Sequence, residues 1–248
     1  KGEVESRTTQ TTWQEKSDLI SSAAIAEVPV RYAPSVNALL DGSFAVDQMK
    51  KLQIEDLLGR DPVRPDQSAL TQNVYGKVVL ISGAGGSIGS ELILQLINLR
   101  PNRLILMDHS EFALYSILLK IKQRVCENNL DVVSVLASVC QKAKVESIIS
   151  EYQPDTIFHA AAYKHVDIVE NNPFSGYETN FLGTKHMADA AAISDVGVFI
   201  LISSDKAVRP TNVMGATKRL AELYLQSLDS STTKTKFAVV RFGNVLGS

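Results

Sequence analysis

The chain has 248 residues, of which 45% are hydrophobic and 21% charged, as in an ordinary globular protein. It carries 25 Lys and Arg against 27 Asp and Glu, a net charge of −2, which argues against a nucleic-acid coat or a polybasic membrane surface. We find no signal peptide and no apolar run of the roughly 18 residues that would span a bilayer. Cys126 and Cys140 match no metal or redox motif, so we expect reduced thiols, a cytoplasmic protein and no metal site.

Both ends of the sequence are typical of a fragment. It begins with Lys1 and stops at Gly247-Ser248, so we expect a longer parent, with any membrane anchor outside this piece. Residues 1–75 are predicted to be an irregular N-terminal remnant and linker, and residues 76–248 a dinucleotide-binding domain that is incomplete at its C-terminus. Short elements and a proline-containing linker are expected in the first region, at residues 28–32, 35–40, 52–58 and 59–66.

From Lys77 onward, short apolar runs alternate with helical patterns. The predicted strands are Val78–Ile81, Leu104–Met107, Val132–Leu136, Thr156–His159, Val198–Ile202 and Phe237–Val240. The predicted helices include Ser90–Leu99, a helix capped by Ser110, a helix near residues 142–151 and one that opens at Met214. This alternation predicts an α/β fold with a doubly wound parallel sheet of the Rossmann type and right-handed crossovers.

A glycine-rich turn follows the first predicted strand. Gly83 would let the chain turn sharply, Gly86 would let the backbone approach a pyrophosphate, and Gly89 would allow close helix packing. The helix that follows would offer backbone N–H groups, around Ser87 and Ile88, and its positive dipole to the phosphates. Because strand, turn, helix and second strand come in the required order, we predict a dinucleotide site rather than an empty turn.

Asp108 ends the second predicted strand, 25 positions after Gly83. A carboxylate there accepts hydrogen bonds from the adenosine ribose and repels a 2′-phosphate. The next residue is His109 rather than an Arg, so we predict NAD and not NADP; the alternative is that Asp108 only caps a helix. Ser138 and Val139, which follow the third strand, are expected near the adenine.

Polar side chains also follow the fifth predicted strand. They are Ser203, Ser204, Asp205 and Lys206. A hydroxyl, an acid and an amine beyond the carboxyl end of a parallel strand can transfer protons, although a solvated loop is the alternative. Met214 and Lys218 come next, at positions i and i+4 on one face of a predicted helix.

Together these segments resemble the extended short-chain dehydrogenase/reductase superfamily. Its Tyr-x-x-x-Lys falls at Met214–Lys218, and its Gly-x-x-Gly-x-x-Gly matches Gly83–Gly89. Within it, roughly residues 52–248 look like the polysaccharide-biosynthesis nucleotide-sugar 4,6-dehydratases, which act on UDP-N-acetylglucosamine. The segments that carry this finer resemblance are Asp108–Tyr115, His159–Val166, Asp205–Asn212 and Arg241–Gly247.

The resemblance implies an NAD-dependent dehydratase, a lyase of glycan biosynthesis. In such enzymes a hydride leaves C4 of the sugar, water is eliminated across C5 and C6, and the hydride returns to C6. By analogy Asp205 would be the acid at C6 and Lys206 the base at C5. Lys218 would bond the nicotinamide ribose, and Ser203 or Ser204 would hold the C4 oxygen.

Met214 departs from the superfamily pattern, because a thioether cannot take a proton from the C4 hydroxyl. One interpretation is an inactive enzyme. The other, which we favour, is that Asp205 or a water held by Ser204 replaces the missing tyrosine.

Other residues gain roles from the same resemblance. Small residues line the cofactor cleft after the fourth strand, and a further group contacts the sugar or its phosphates. The cleft residues are Ala160 and Ala161, and the substrate group comprises Lys164, His165, Asn180 and Asn244. Asn180 is expected to start a long helix, with a helix cap as its alternative role. His159 is expected to be a core or cleft residue rather than a catalytic one.

Two rival functions are kept: a nucleotide-sugar 4-epimerase and a non-catalytic NAD-binding module. An epimerase needs no acid–base pair at C5 and C6, so Asp205 and Lys206 argue against it. The family places much of its sugar recognition further along the chain. We therefore expect this fragment to hold a nearly complete NAD site and half of a UDP-amino-sugar site, without turnover of its own. A homo-oligomer is left open, and no nucleic-acid partner is expected.

Overall fold

The computed structural model describes residues 71–229, 234–243 and 245. The elements and linker predicted before residue 67 lie outside these residues, as does Asn244, so those predictions and the predicted domain boundary at 75/76 stay predictions. Within the described part, no helix combines the length and the apolar composition needed to cross a bilayer.

Six parallel strands form one sheet in the order β3-β2-β1-β4-β5-β6. Their bounds are β1 Val78–Ser82, β2 Arg103–Asp108, β3 Asp131–Leu136, β4 Thr156–His159, β5 Val198–Ser204 and β6 Lys236–Phe242. All five pairings are parallel, for example Val79 against Leu104 on one side and Thr156 on the other. The strand order reverses direction after β3, which confirms the predicted doubly wound parallel sheet.

Helices connect the strands. They are α1 Ser87–Asn98, α2 Glu111–Asn128, α3 Lys142–Tyr152, α4 Val166–Asn171, α5 Pro173–Gly176, α6 Thr184–Ile193 and α7 Val213–Asp229. A π-helical segment, Tyr177–Gly183, joins α5 to α6, and a 3₁₀ turn, Asp205–Ala207, follows β5. The carboxyl ends of all six strands lie at one edge of the sheet, because the strands are parallel.

Alternating strand residues divide the core into two layers. Leu80, Ile105 and Phe199 pack with residues of α3, α6 and α7 on one face. Val79 and Ile81 pack with residues of α1 and α2 on the other face. Strands buried on both faces require the continuous apolar runs that the sequence displays.

Two predicted bounds and one predicted helix start need correction. Helix α1 begins at Ser87 rather than Ser90, since the Ser90 N–H already bonds the Gly86 carbonyl at 2.8 Å. Strand β5 continues two residues beyond Ile202, through Ser204, because both serines pair with β6. The helix predicted to start at Asn180 starts earlier, at Pro173, whose missing N–H is tolerated in a first helical turn.

Candidate functional site

The glycine turn after β1 is held so closely that side chains cannot fit. Gly83 has φ +69°, and a Cβ there would lie 2.6 Å from the Ala161 backbone nitrogen. A Cβ on Gly89 would run into the Gly83 carbonyl oxygen, so α1 begins directly against the turn. A Cβ on Gly86 would lie 3.2 Å from the same oxygen. Ala160, next to Ala161, bonds the Ser82 carbonyl, so the predicted alanines do line this turn.

Gly85 also belongs to this turn and was missed by the sequence reasoning. A Cβ on Gly85 would collide with the Ala113 side chain at the start of α2. The Gly85 N–H donates to Asp108 Oδ2 at 3.0 Å, and the Ser110 N–H donates to Asp108 Oδ1 at 3.0 Å. Asp108 is buried, and it fixes the turn as well as standing at the predicted ribose position. Ser110 caps α2 as predicted, through the Ala113 N–H.

The N-terminus of α1 is available to an anion. Gly86 provides no side-chain cap, and the first turn carries no acidic residue. The helix end therefore keeps its N–H groups and its positive dipole for another partner. Lys164 lies on the loop after β4, and its Nζ donates to Ser87 Oγ at 3.4 Å. This contact brings one positive charge from a distant segment to the first residue of α1.

The segment after β3 packs against the helix that follows β4. Val139 is buried, and its Cγ2 atom lies 2.6 Å from where a Cβ on Gly183 would be. The Val139 carbonyl accepts from His186 Nδ1 at 3.1 Å. Ser138 Oγ accepts from the Cys140 N–H at 3.2 Å. Ser138 and Val139 thus stand at the carboxyl edge of the sheet, where the adenine was predicted, and that role stays a prediction.

His159 is a core residue. It is 1% exposed and lies between Ser82 Oγ, 2.6 Å from Nδ1, and Thr184 Oγ1, 2.9 Å from Nε2. Burial, together with the nearby charge of Lys218, lowers its pKa to about 3. The ring is therefore neutral at physiological pH, and it links the ends of β1 and β4 to α6.

Asn180 lies inside the π-helical segment and is neither at a helix start nor exposed. Its Oδ1 accepts from the Tyr163 N–H at 2.8 Å, and its Nδ2 donates to the Tyr163 carbonyl and to Thr217 Oγ1, both at 3.1 Å. Both amide hydrogens are in use, so Asn180 could donate to a substrate only if one of these bonds broke. His165 is exposed at the N-terminus of α4, on the same loop.

The residues that end β5 form a compact polar cluster. Ser204 Oγ donates to Asp205 Oδ1 at 3.0 Å and accepts from the Lys206 N–H at 3.2 Å. Lys206 Nζ lies 3.5 Å from Asp205 Oδ1. The hydrogen bond from Ser204, supported by the charge of Lys206, lowers the pKa of Asp205. Asp205 is therefore ionised at neutral pH.

Helix α7 carries Met214 and Lys218 beneath this cluster. Met214 is 2% exposed, and Lys218 donates from Nζ to the Ile202 carbonyl at 3.1 Å. Burial lowers the pKa of Lys218 to about 8, while the negative charge of Glu222 acts in the opposite direction. Lys218 is one of the catalytic residues predicted from the sequence, and its burial brings its pKa closer to neutrality.

The first turn of α7 is held by hydrogen bonds to Asn212 and α4, and it packs closely against the 3₁₀ turn. Asn212 Oδ1 accepts from the Gly215 N–H at 2.7 Å, and Glu170 Oε1 accepts from the Val213 N–H at 2.9 Å. A Cβ on Gly215 would collide with the Lys206 carbonyl oxygen. Glycine is therefore required for the close approach that brings Asp205 and Lys206 next to α7.

Sequence reasoning also missed Glu222, a fully buried carboxylate on α7. It accepts from Ser203 Oγ at 2.7 Å, so the Ser203 hydroxyl hydrogen is already in use, and the C4-oxygen role of Ser203 or Ser204 stays a prediction. Arg219 and Arg241 bond the same carboxylate. A charged residue on the apolar face of α7, beside Ala221 and Leu225, was the available signal.

Comparison with known proteins identifies the family of this chain. A family model described as "Polysaccharide biosynthesis protein" matches residues 79–248. The chain belongs to the polysaccharide biosynthesis protein family. That family lies in the extended short-chain dehydrogenase/reductase superfamily, as the glycine turn and the Met214–Lys218 spacing indicated.

Members and neighbours of the polysaccharide biosynthesis protein family are similar over most of the chain. The capsular polysaccharide biosynthesis protein CapD of Staphylococcus aureus is 44% identical over 87% of this chain and 36% of its own length. A UDP-N-acetylglucosamine 4,6-dehydratase (inverting) of Campylobacter jejuni is 32% identical over 70% of this chain and 50% of its length. A UDP-glucose 4-epimerase of Rickettsia bellii is also 32% identical, over 69% of this chain and 50% of its length.

Solved structures agree with the fold. Pen from Bacillus thuringiensis superposes with a TM-score of 0.66 at 32% identity, over 71% of this chain and 54% of that chain. The UDP-glucose 4-epimerase of Brucella ovis, solved in complex with NAD, has a TM-score of 0.57 at 20% identity, over 68% and 52% of the two chains. The polysaccharide biosynthesis protein family is thus one of nucleotide-sugar dehydratases and epimerases, and this chain spans about a third to a half of the curated relatives named above.

Proposed function

We propose that the chain is the cofactor-binding and proton-transferring part of an NAD-dependent UDP-N-acetylglucosamine 4,6-dehydratase. The observation that carries this proposal is the pair Asp205 and Lys206, 3.5 Å apart at the end of β5. A dehydratase needs two such groups to remove the C5 proton and the C6 hydroxyl. The pair lies against α7, which also carries the buried Lys218.

The residues at the glycine turn fit a dinucleotide. Backbone atoms fill the space where side chains on Gly83 and Gly89 would lie, so glycine is needed for the tight turn into α1, and Gly86 would let the backbone approach a pyrophosphate. Lys164 and the uncapped end of α1 supply positive charge. Asp108, at the end of β2, would accept hydrogen bonds from the adenosine ribose. Lys218 would hold the nicotinamide ribose. Bound NAD would supply a hydride acceptor for C4 of the sugar and a hydride donor for C6.

The protein groups would move two protons. Asp205, ionised in the resting site, accepts the proton of the C4 hydroxyl as C4 becomes a ketone. The 4-keto group acidifies the C5 proton, and Lys206 would remove it. Protonated Asp205 then donates to the C6 hydroxyl, which leaves as water. Lys206 returns a proton to C5 when hydride reaches C6, so the product is a 4-keto-6-deoxy sugar with no net redox change.

This scheme also accounts for Met214. The buried thioether takes no part in proton transfer, because Asp205 performs the step that a tyrosine performs in the superfamily. Ser204, bonded to Asp205 at 3.0 Å, would hold the C4 oxygen or a water beside it. Lys164 and His165, on the loop after β4, would lie nearer to phosphate groups.

A 4-epimerase is the second candidate, because epimerase and dehydratase relatives are equally identical to the chain. The two reactions share C4 oxidation but differ at C5, which an epimerase does not deprotonate. The alternatives therefore predict different isotope patterns in the product.

The test uses the longest natural chain that contains these 248 residues, incubated with UDP-N-acetylglucosamine in deuterated water. We expect a 4-keto-6-deoxy product with solvent deuterium at C5 and no accumulation of NADH. Mass spectrometry and NMR would detect this product. Asp205→Asn should abolish the product, whereas Asp131→Asn, on the far side of the sheet, should not. A C4 epimer without deuterium would replace the dehydratase assignment, and NAD binding without any product would favour a non-catalytic module.

A further inference from the structure

Helix α7 forms hydrogen bonds with two successive residues of β5. Lys218 Nζ donates to the Ile202 carbonyl at 3.1 Å, and Glu222, one helical turn later, accepts from Ser203 Oγ at 2.7 Å. Ser204, Asp205 and Lys206 follow directly along the chain. These two bonds therefore attach the carboxyl end of β5 to α7.

Glu222 is the centre of a larger network. Arg241 on β6 bonds its carboxylate through two atoms, Nε to Oε1 at 2.8 Å and Nη2 to Oε2 at 2.6 Å. Arg219 adds a bond from Nη1 to Oε2 at 2.9 Å. Four donors from α7, β5 and β6 thus converge on one buried side chain, and a bidentate guanidinium gives the arrangement a fixed geometry.

A fully buried ionised group is costly, and an apolar residue of similar volume is often at least as stabilising. Burial raises the pKa of Glu222, but the bonds from Arg241, Ser203 and Arg219 outweigh it and lower the pKa to about 2. Glu222 is therefore charged at every physiological pH. Stability alone gives no reason for a charge at this position, whereas the contacts to Ser203 and the proximity to Lys218 do.

We propose that Glu222 is a positioning residue, which fixes the end of β5 through Ser203 and maintains the positive charge of Lys218. Arg241 and Arg219 orient its carboxylate and moderate its charge. The catalytic consequence rests on the proposed dehydratase reaction. The effect on Lys218 does not, because it depends only on the charges around that lysine.

Other charged or titratable groups lie on α7 or on elements near it. They are His159 on β4, Asp205 and Lys206 in the 3₁₀ turn, Glu170 on α4, Arg241 on β6 and Arg219 on α7 itself. His159 is neutral above pH of about 3 and contributes no charge near neutrality. The negative charge of Glu222 raises the pKa of Lys218, so removing that charge lowers this pKa. Removing Arg241 unmasks Glu222, so the pKa of Lys218 must rise.

The experiment follows the titration of Lys218 by NMR in the longest natural chain that contains these 248 residues, with ¹³C-labelled lysine. The resonance is identified by its absence in Lys218→Met. We expect Glu222→Gln to lower the pKa of Lys218 by about one unit and Arg241→Met to raise it by a smaller amount. Asp189→Asn is the matched control, since it breaks a comparable network with Lys185 and Tyr224 on α6 and α7.

Opposite shifts in the two variants, with no shift in the control, support the proposal. An unchanged Lys218 titration in both variants, each folded by circular dichroism, overturns it. If Glu222→Gln does not fold, Arg241→Met alone decides, because the half-exposed arginine can be removed without opening the core.

Measurements of kcat distinguish the effect of Glu222 on the position of β5 from its effect on the charge of Lys218. In the longest natural chain, Ser203→Ala should lower kcat about 10-fold without shifting the Lys218 titration, because only the tie to β5 is lost. An unchanged kcat in Ser203→Ala would overturn the role assigned to that tie. If the wild type makes no 4-keto product while the titration shifts appear, the proposed function fails and the assignment of Glu222 stands.

Discussion

Asn180 holds the backbone of Tyr163 by both of its polar groups, accepting from the N–H at 2.8 Å and donating to the carbonyl at 3.1 Å. The same amide nitrogen donates to Thr217 Oγ1 on α7. The loop that carries Lys164 is thereby joined to the helix that carries Lys218. One buried side chain thus connects the loop proposed to bind phosphate with the helix proposed to take part in proton transfer.

Asn180→Ala should therefore destabilise the protein by about 2–3 kcal/mol, because Tyr163 and Thr217 lose a buried partner. Urea unfolding measures the loss. Asn172→Ala is the control, since that exposed asparagine donates only to the Ile168 carbonyl within its own helical region. Equal unfolding midpoints for the two variants would contradict the connecting role of Asn180.

Gly89→Ala should destabilise the protein by about 3 kcal/mol, because the new Cβ meets the Gly83 carbonyl rather than a movable side chain. Gly86→Ala should cost much less stability, since its Cβ would lie 3.2 Å from the Gly83 carbonyl oxygen. The same variant should weaken NAD binding about 10-fold, because the new methyl group keeps the backbone from the pyrophosphate. Thermal unfolding and calorimetric NAD titration separate the effects. Gly243→Ala, with no atom within 4 Å, is the neutral control.

Lys164→Met should weaken NAD binding about 10-fold at low salt and reduce the salt dependence of binding, because one cation leaves the end of α1. Lys120→Met removes a charge from the exposed surface of α2 and should leave both quantities unchanged. Titration calorimetry at two ionic strengths makes the comparison. Unchanged NAD affinity in Lys164→Met would move this lysine from the cofactor to the sugar side of the site.

His159 makes stability depend on pH. Its pKa is about 3 in the folded protein against the ordinary histidine value of 6.5, so below pH 6.5 the unfolded chain binds a proton that the folded chain does not. Stability is therefore complete above 6.5 and is lost as the pH falls toward 3, at up to about 1.4 kcal/mol per pH unit from this group. Urea unfolding at about pH 7 and about pH 5 should show a smaller difference for His159→Gln than for the wild type. The exposed His165→Gln should behave like the wild type.

Local signals were sufficient for the order and type of the elements. Apolar runs specified all six strands to within about two residues, and Ser110 specified where α2 begins, whereas the predicted start of α1 at Ser90 was wrong. These features depend on neighbours in sequence, through strand burial, capping and turn geometry. The π-helical segment was not predicted, because Asn180 reads locally as a helix cap and only its bonds to Tyr163 and Thr217 explain its interior position.

The sequence by itself determined a parallel doubly wound sheet, a dinucleotide turn and an acid–amine pair after β5. The tertiary structure alone decided which groups meet. The Gly85 N–H meets Asp108, Lys164 meets Ser87, and Glu222 meets Ser203 and Arg241. Each of these partners lies 19 to 77 positions away in sequence. Such contacts arise because parallel strands bring their carboxyl ends to one edge, a relationship that no local pattern encodes.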